Sequence, residues 1–180
     1  RAKVSSWQRI GPNTIPHVAK ATGIYLNSML AVHEAQRSGY DEAILLTDDG
    51  FVADGSGENV FVVKDGAIAT PPLSTSILPG ITRATIIDIA QDLGYVVEER
   101  NLIRSDLYLA DEVFMTGTAA EVTPVSEIGP YRFQVGEIDG LRQEIESAAV
   151  HGGADVGHVA IGGDDNGRFP VVGFLQLCKQ

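Results

Sequence analysis

The chain has 180 residues, 44% hydrophobic and 7% aromatic, and a formal net charge of −11, the composition of a globular domain long enough to bury a core. That acidic balance excludes electrostatic binding to nucleic acid or to an anionic membrane surface, which needs clustered Lys and Arg, and the lack of any run of about 18 apolar residues excludes a membrane-spanning helix. The single cysteine, Cys178, allows no internal disulfide, and His17, His33, His151 and His158 stand too far apart for metal-ligand spacing, so the expectation is a metal-free, cytoplasmic protein.

The chain starts at Arg1 in strand-like sequence, "AKVSSW", with no charged and apolar leader, and reads as a piece cut from something longer. A loop follows, "GPNTIP", where Pro12 and Pro16 exclude helix. From Thr22 to Ser38 the residues Tyr25, Leu26, Met29, Leu30 and Val32 recur at helical spacing, and Gly39 caps the end. "EAILLT" is a short apolar strand closed by "DDG". "NVFVVK" and "AIAT" flank Asp65-Gly66, a strong hairpin signal. The loop "PPLSTSILPG" leads to a helix over Ile81–Leu93, with Ile86, Ala90 and Leu93 on one face and Gly94 as its cap. Then come strand "YVVEE", a helical turn "SDLYLA", strand "EVFMTG", strand-like "EVTPVSEI" and a helix around Gly140–Ala149. This pattern predicts an α+β domain of short strands over residues 1–150. The stretch 151–180 is glycine-rich, has neither period, and is expected to be a divergent tail.

Three segments have the residue types that chemistry needs. Lys20 precedes the first helix among small and apolar neighbours. It reads either as an exposed lysine at a helix start or as an amine that forms a Schiff base; such amines sit in half-buried surroundings. In "ADGSGEN", Gly55 and Gly57 bracket a tight turn that presents Asp54, Glu58 and Asn59 at a strand edge. That is either a polar β-turn or a carboxylate held rigidly against a cofactor. In "SILPGITR", Pro79 and Gly80 open a helix whose first amides, with the Thr82 hydroxyl, favour an anion such as phosphate; the plain alternative is an ordinary helix entry. "MTGTAAE" adds a second anion-friendly turn at Gly117, Thr118 and Ala119. Amine, carboxylate and phosphate-binding turns together suggest pyridoxal 5'-phosphate.

The words "SSWQRIGPNTIPHVAKATGIYLNSMLA", "GSGENVFVVKDG", "TPPLSTSILPGITRATII" and "LYLADEVFMTGTAAEVTPV", in that order between Arg1 and Ile128, resemble the branched-chain amino acid aminotransferases, fold-type IV pyridoxal-phosphate enzymes. The resemblance implies the large C-terminal domain of that fold: short strands in a barrel-like sheet flanked by helices. It implies that Lys20 is the Schiff-base lysine and acid/base, and that Tyr25 stands near the cofactor's ring hydroxyl. Leu78, Ile81 and Thr82 would seat ring and phosphate. Thr118 would bind phosphate, and Thr118 with Ala119 would face the substrate carboxylate. The implied reaction passes the amino group of leucine, isoleucine or valine to 2-oxoglutarate, in a homodimer or larger assembly.

Two departures accompany it. Asp54 stands where the family has the glutamate that pairs with the pyridine nitrogen; one methylene less shortens the reach by roughly 1.5 Å, so a weaker electron sink is expected. The family's smaller N-terminal domain, which supplies a phosphate-binding arginine, is expected ahead of Arg1. Two alternatives stay open. One is a D-amino-acid aminotransferase or an aminodeoxychorismate lyase of the same fold. The other is a non-catalytic fragment lacking the small domain.

Overall fold

The computed structural model describes residues 1–133. The helix expected around Gly140–Ala149 and the tail 151–180 lie outside the described residues. In chain order, β1 (Ala2–Gln8) leads through a loop holding a 3-10 turn at His17–Ala19 to α1 (Ile24–Arg37), β2 (Glu42–Leu46) and β3 (Val52–Gly55). β4 (Asn59–Lys64) and β5 (Ala67–Thr70) follow, then α2 (Ile81–Asp92), β6 (Val96–Glu99) and α3 (Arg104–Tyr108). β7 (Glu112–Gly117), β8 (Glu121–Pro124), β9 (Glu127–Ile128) and β10 (Tyr131–Arg132) end the described chain.

The strands form two five-stranded sheets, in the orders β10-β9-β1-β2-β3 and β6-β5-β4-β7-β8. Each contains a parallel strand–helix–strand crossover. β1 pairs with β2 in parallel, Lys3 opposite Ala43, with α1 between them in sequence. β5 pairs with β6 in parallel, Ile68 opposite Val97, with α2 between them. Chains that cross over in this way place the loop after the first strand at its carboxyl end, where ligands gather in such units. Those two loops, 9–23 and 71–80, carry the lysine and the "SILPG" motif. The hairpin at Asp65-Gly66 is as expected: both residues have positive φ, 49° and 77°, as a type I′ turn requires, and Lys64 faces Ala67 across it.

β4 explains its own central position. Asn59 through Val63 are all buried, which an alternating strand with one wet face would not show. One side, Phe61 and Val63, packs with Phe114, Ile68 and Val122 under Ile86, Ile89 and Ala90 of α2. The Phe61 and Phe114 rings stack with centroids 4.9 Å apart. The other side, Val60 and Val62, joins Val113, Met115, Ile44, Val52 and Leu102 between the sheets. Leu93, expected on the buried face of α2, is instead 41% exposed; it is the C-cap, and the chain turns away at Gly94, φ 89°.

The face of α1 is the larger surprise. Its buried residues are Ser28, Ala31 and Ala35, and the last two pack on Ala43 and Leu45. Small side chains let helix and sheet approach closely, so the small face wins the burial. Leu26 and Met29 remain 64% and 63% exposed, and Tyr25 and Leu30 are exposed as well. Glu34 fixes the helix azimuth from the polar side: it accepts hydrogen bonds from Ser5 Oγ at 3.1 Å and Ser6 Oγ at 2.6 Å, and it pairs with Lys3 at 2.9 Å. Among the described residues no helix is long and apolar enough to cross a membrane.

Candidate active site

The two crossover loops, the β3–β4 turn and the end of β7 enclose one open cavity of about 480 Å³. All eight residues singled out in the sequence line it: Lys20, Tyr25, Asp54, Leu78, Ile81, Thr82, Thr118 and Ala119. The motifs lie far apart in sequence, from Lys20 to Ala119, and the strand order brings their loops to one side.

Lys20 closes the 3-10 turn. Its backbone amide donates to the His17 carbonyl at 3.2 Å, and it sits in the left-handed region at φ 46°, ψ 39°. It is exposed rather than half-buried, because the turn sets it on the rim of the cavity. Tyr25 follows in the first turn of α1, 44% exposed.

Asp54 lies deep, 6% exposed, and its environment was not legible in the sequence. Arg9, the residue just after β1, donates from Nε to Asp54 Oδ1 at 2.7 Å and from Nη2 to the same oxygen. Nη2 also reaches the Gly55 carbonyl at 2.5 Å, and Nη1 reaches Ser28 Oγ on α1 at 3.2 Å. The Leu78 amide hydrogen-bonds to Asp54 as well. Burial nevertheless pushes the Asp54 carboxyl up to about 6, against the opposing charge and hydrogen bonds of Arg9. Burial raises Glu58 too, with the neighbouring charge of Glu42 adding to it.

The turn "GSGE" is closed by a backbone bond and leaves no room for a side chain at Gly55. The Gly55 amide donates to the Glu58 carbonyl at 2.7 Å, and a Cβ on Gly55 would meet Glu58 Oε2 at 2.8 Å. Across the cavity, Asn59 Nδ2 donates to the Leu78 carbonyl at 3.0 Å and pins the second loop. Arg83 holds that loop from behind through the Pro71 carbonyl at 2.9 Å and Glu99 at 2.6 Å. α2 begins at Gly80 with no side-chain cap, so the amides of Ile81 and Thr82 have no helical partner and border the cavity. A helix start of this kind carries partial positive charge and favours an anion.

Gly80 is where a side chain cannot go. Its φ of −69° suits any residue, but a Cβ there would meet Asn59 Oδ1 at 2.2 Å. Gly80→Ala is therefore expected to break the Asn59–Leu78 bond and cost about 1–3 kcal/mol by overpacking. Gly57→Ala, with nothing within 4 Å of the added carbon, should stay within about 0.5 kcal/mol of the parent. Urea unfolding of the two variants measures this, and equal midpoints would refute it.

Sequence reasoning gave no role to Arg9, His17, Ser28, Ser56 or Thr116, all of which line the cavity. Arg9 lies within the first of the quoted words, but nothing beside it points to a partner. Thr116 Oγ1 and His17 Nε2 are buried without hydrogen-bond partners and line the cavity; burial lowers the His17 pKa. Among the described residues no group of three or more His, Cys, Asp or Glu could hold a metal ion.

Residues 1–128 match the family model described as amino-transferase class IV. The chain is 52% identical over 147 residues to the branched-chain-amino-acid aminotransferase of Escherichia coli (strain K12), covering 82% of this chain and 48% of that protein. The crystal structure of the branched-chain aminotransferase from Thermoproteus uzoniensis with norvaline superposes with TM-score 0.78 at 50% identity, covering 83% of this chain and 50% of that one. The T.th. branched-chain amino acid aminotransferase complexed with N-(5'-phosphopyridoxyl)-L-glutamate gives TM-score 0.78 at 48% identity, covering 82% of this chain and 51% of that one. The chain thus spans about half the length of the relatives it matches.

Proposed function

The chain belongs to the class IV aminotransferases, and from that premise we propose that residues 1–150 are the cofactor-binding large-domain portion of an enzyme that passes the amino group of leucine, isoleucine or valine to 2-oxoglutarate with pyridoxal 5'-phosphate. The observation that carries the reading is the convergence of Lys20, Asp54, Thr82 and Thr118 on one cavity. The relatives' names support the branched-chain choice over the D-amino-acid and aminodeoxychorismate alternatives. The phosphopyridoxyl-glutamate adduct held by one neighbour supports both the cofactor and the acceptor.

The residues present fit the cofactor. The uncapped start of α2 beside Thr82 suits a phosphate, and the bare Cα of Gly80 and Gly117 lets both segments pack closely against Asn59 and the β3–β4 turn. The buried Thr116 hydroxyl is an unused polar atom at the cavity wall, and Asp54 brings a carboxylate to it. Pyridoxal phosphate, when bound, supplies the electron sink for moving an amino group between a 2-amino and a 2-oxo acid. Lys20 Nζ would hold it covalently and carry a proton at the substrate α-carbon. Asp54 would keep a proton on the pyridine nitrogen, and the Tyr25 hydroxyl would orient the ring. Leu78, Ile81 and Thr82 would seat ring and phosphate, with Thr118 as a second phosphate ligand. Thr118 and Ala119 would face the substrate carboxylate. A homo-oligomer, dimer or larger, in the cytoplasm goes with this reading.

Pyridoxal phosphate added to the chain should produce a visible absorption band, and borohydride should then leave one label, on Lys20. No band, or a label on Lys3 or Lys64 instead, would overturn the assignment and favour a non-catalytic fragment.

A further inference from the structure

We propose that Arg9 is a positioning residue: it fixes the Asp54 carboxylate against the cavity wall and locks it to the helix that follows Lys20. The proposal rests on the functional reading above and adds a residue to which the sequence alone assigned no role.

Arg9 stands where three elements of the cavity meet. Its backbone amide donates to the Leu46 carbonyl at 2.8 Å, anchoring the end of β1 to β2. Its side chain, 5% exposed, then reaches Asp54 and Gly55 at the end of β3 and Ser28 on α1. Ser28 lies one turn into α1, the helix that the lysine's loop enters. No other described residue bridges these three elements by side-chain hydrogen bonds. The fork converges on Oδ1 of Asp54, leaving Oδ2 outside it. A planar guanidinium with five fixed donors can serve three such acceptors at once; an ammonium on a flexible stem cannot hold the same geometry.

The pairing also matters for charge. Asp54 is buried, and apart from Arg9 only the Leu78 amide favours its charged form. The titratable groups around the pair are Glu58 across the turn, Glu42 behind Glu58, and His17 from the loop ahead of Lys20. Two of these are carboxylates, and burial disfavours the charged form of His17. Lys20, the other cation lining the cavity, is on the rim. Arg9 is the buried cation that opposes the desolvation of Asp54.

The experiment is carboxyl-carbon NMR of Asp54 in the full 180-residue chain, with pyridoxal-phosphate binding followed by absorbance, in the parent, Arg9→Lys, Arg9→Gln and Ser28→Ala. Removing the opposing charge in Arg9→Gln should raise the Asp54 midpoint by about 1–3 pH units and weaken cofactor binding at least about tenfold. Arg9→Lys should recover the midpoint, which follows charge, but not the affinity, which follows the fork. Ser28→Ala leaves no charge unpaired, so it remains folded; it should keep the midpoint and weaken binding about two- to tenfold. Should Arg9→Gln not fold, Arg9→Lys and Ser28→Ala decide. An unmoved midpoint in folded Arg9→Gln, or unchanged affinity in both Arg9→Lys and Ser28→Ala, overturns the proposal. A parent that binds no cofactor defeats the functional reading instead, while the Asp54 titration still reports on Arg9.

Discussion

Lys20→Ala is expected to remove the visible pyridoxal-phosphate band altogether, and with it any transamination the assembled enzyme performs. The loss of proton transfer alone amounts to about 10²–10⁴-fold in rate, before the lost covalent attachment is counted. The fold should hardly notice. Lys20 is exposed on the rim, and its link to the 3-10 turn is made by its backbone amide, not its side chain. Surface truncations of this kind stay within about 0.5 kcal/mol. Absorbance and urea unfolding on the same sample separate the two effects. A variant that keeps the band, or one that unfolds with the loss of it, would contradict the assignment.

The second large effect is on stability. Asp54→Ala leaves the Arg9 guanidinium buried without its carboxylate, and breaking a buried pair from one side costs about 3–5 kcal/mol. Arg9→Met combined with Asp54→Ala should recover more than half of that, because the pair is expensive to bury even when intact. The pH dependence carries the same message. The Asp54 carboxyl has an ordinary value of 3.8 and a folded value of about 6, so the folded state holds the proton more tightly. Its contribution to stability is full below about pH 4 and is lost as pH rises through about 6. Chemical denaturation between about pH 4 and 8 should show that loss in the parent and not in the double variant. A double variant as unstable as Asp54→Ala would show that the cost lies in packing, not in charge.

The local signals in the sequence were good guides to the frame. Asp65-Gly66 predicted its hairpin because the type I′ turn that closes so short a loop needs two positive φ angles, which Asp and Gly tolerate. The motifs at Lys20, "GSGEN", "LPGITR" and "GTAAE" meet at one cavity because each lies in a segment that follows a strand, and the two parallel crossovers turn those segments to one side. What failed were readings that depend on partners far away in the chain. The apolar spacing of α1 located the helix but not its buried face, since Ser28, Ala31 and Ala35 are chosen by the close approach of β2. Arg9 gave no signal, because its partners lie 19 and 45 residues on and a lone arginine after a strand reads as solvent-exposed. Of the two environments the sequence left open for Lys20, the exposed one holds, because small apolar neighbours in sequence are not neighbours in space when a 3-10 turn points them outward.

The left-handed backbone at Lys20, φ 46° and ψ 39°, has a consequence for how such a position persists. An L-residue there is a thermodynamic misfit by roughly 1–2 kcal/mol, and glycine would relieve it. Ser76, at φ 62°, makes the same concession in the other crossover loop. Asp65 at φ 49° and Glu121 at φ 56° share that backbone region, and of the four only Lys20 lines the cavity. The dihedral angle therefore marks a turn in each case, and it is the rim position that gives the side chain at Lys20 something to do beyond closing one.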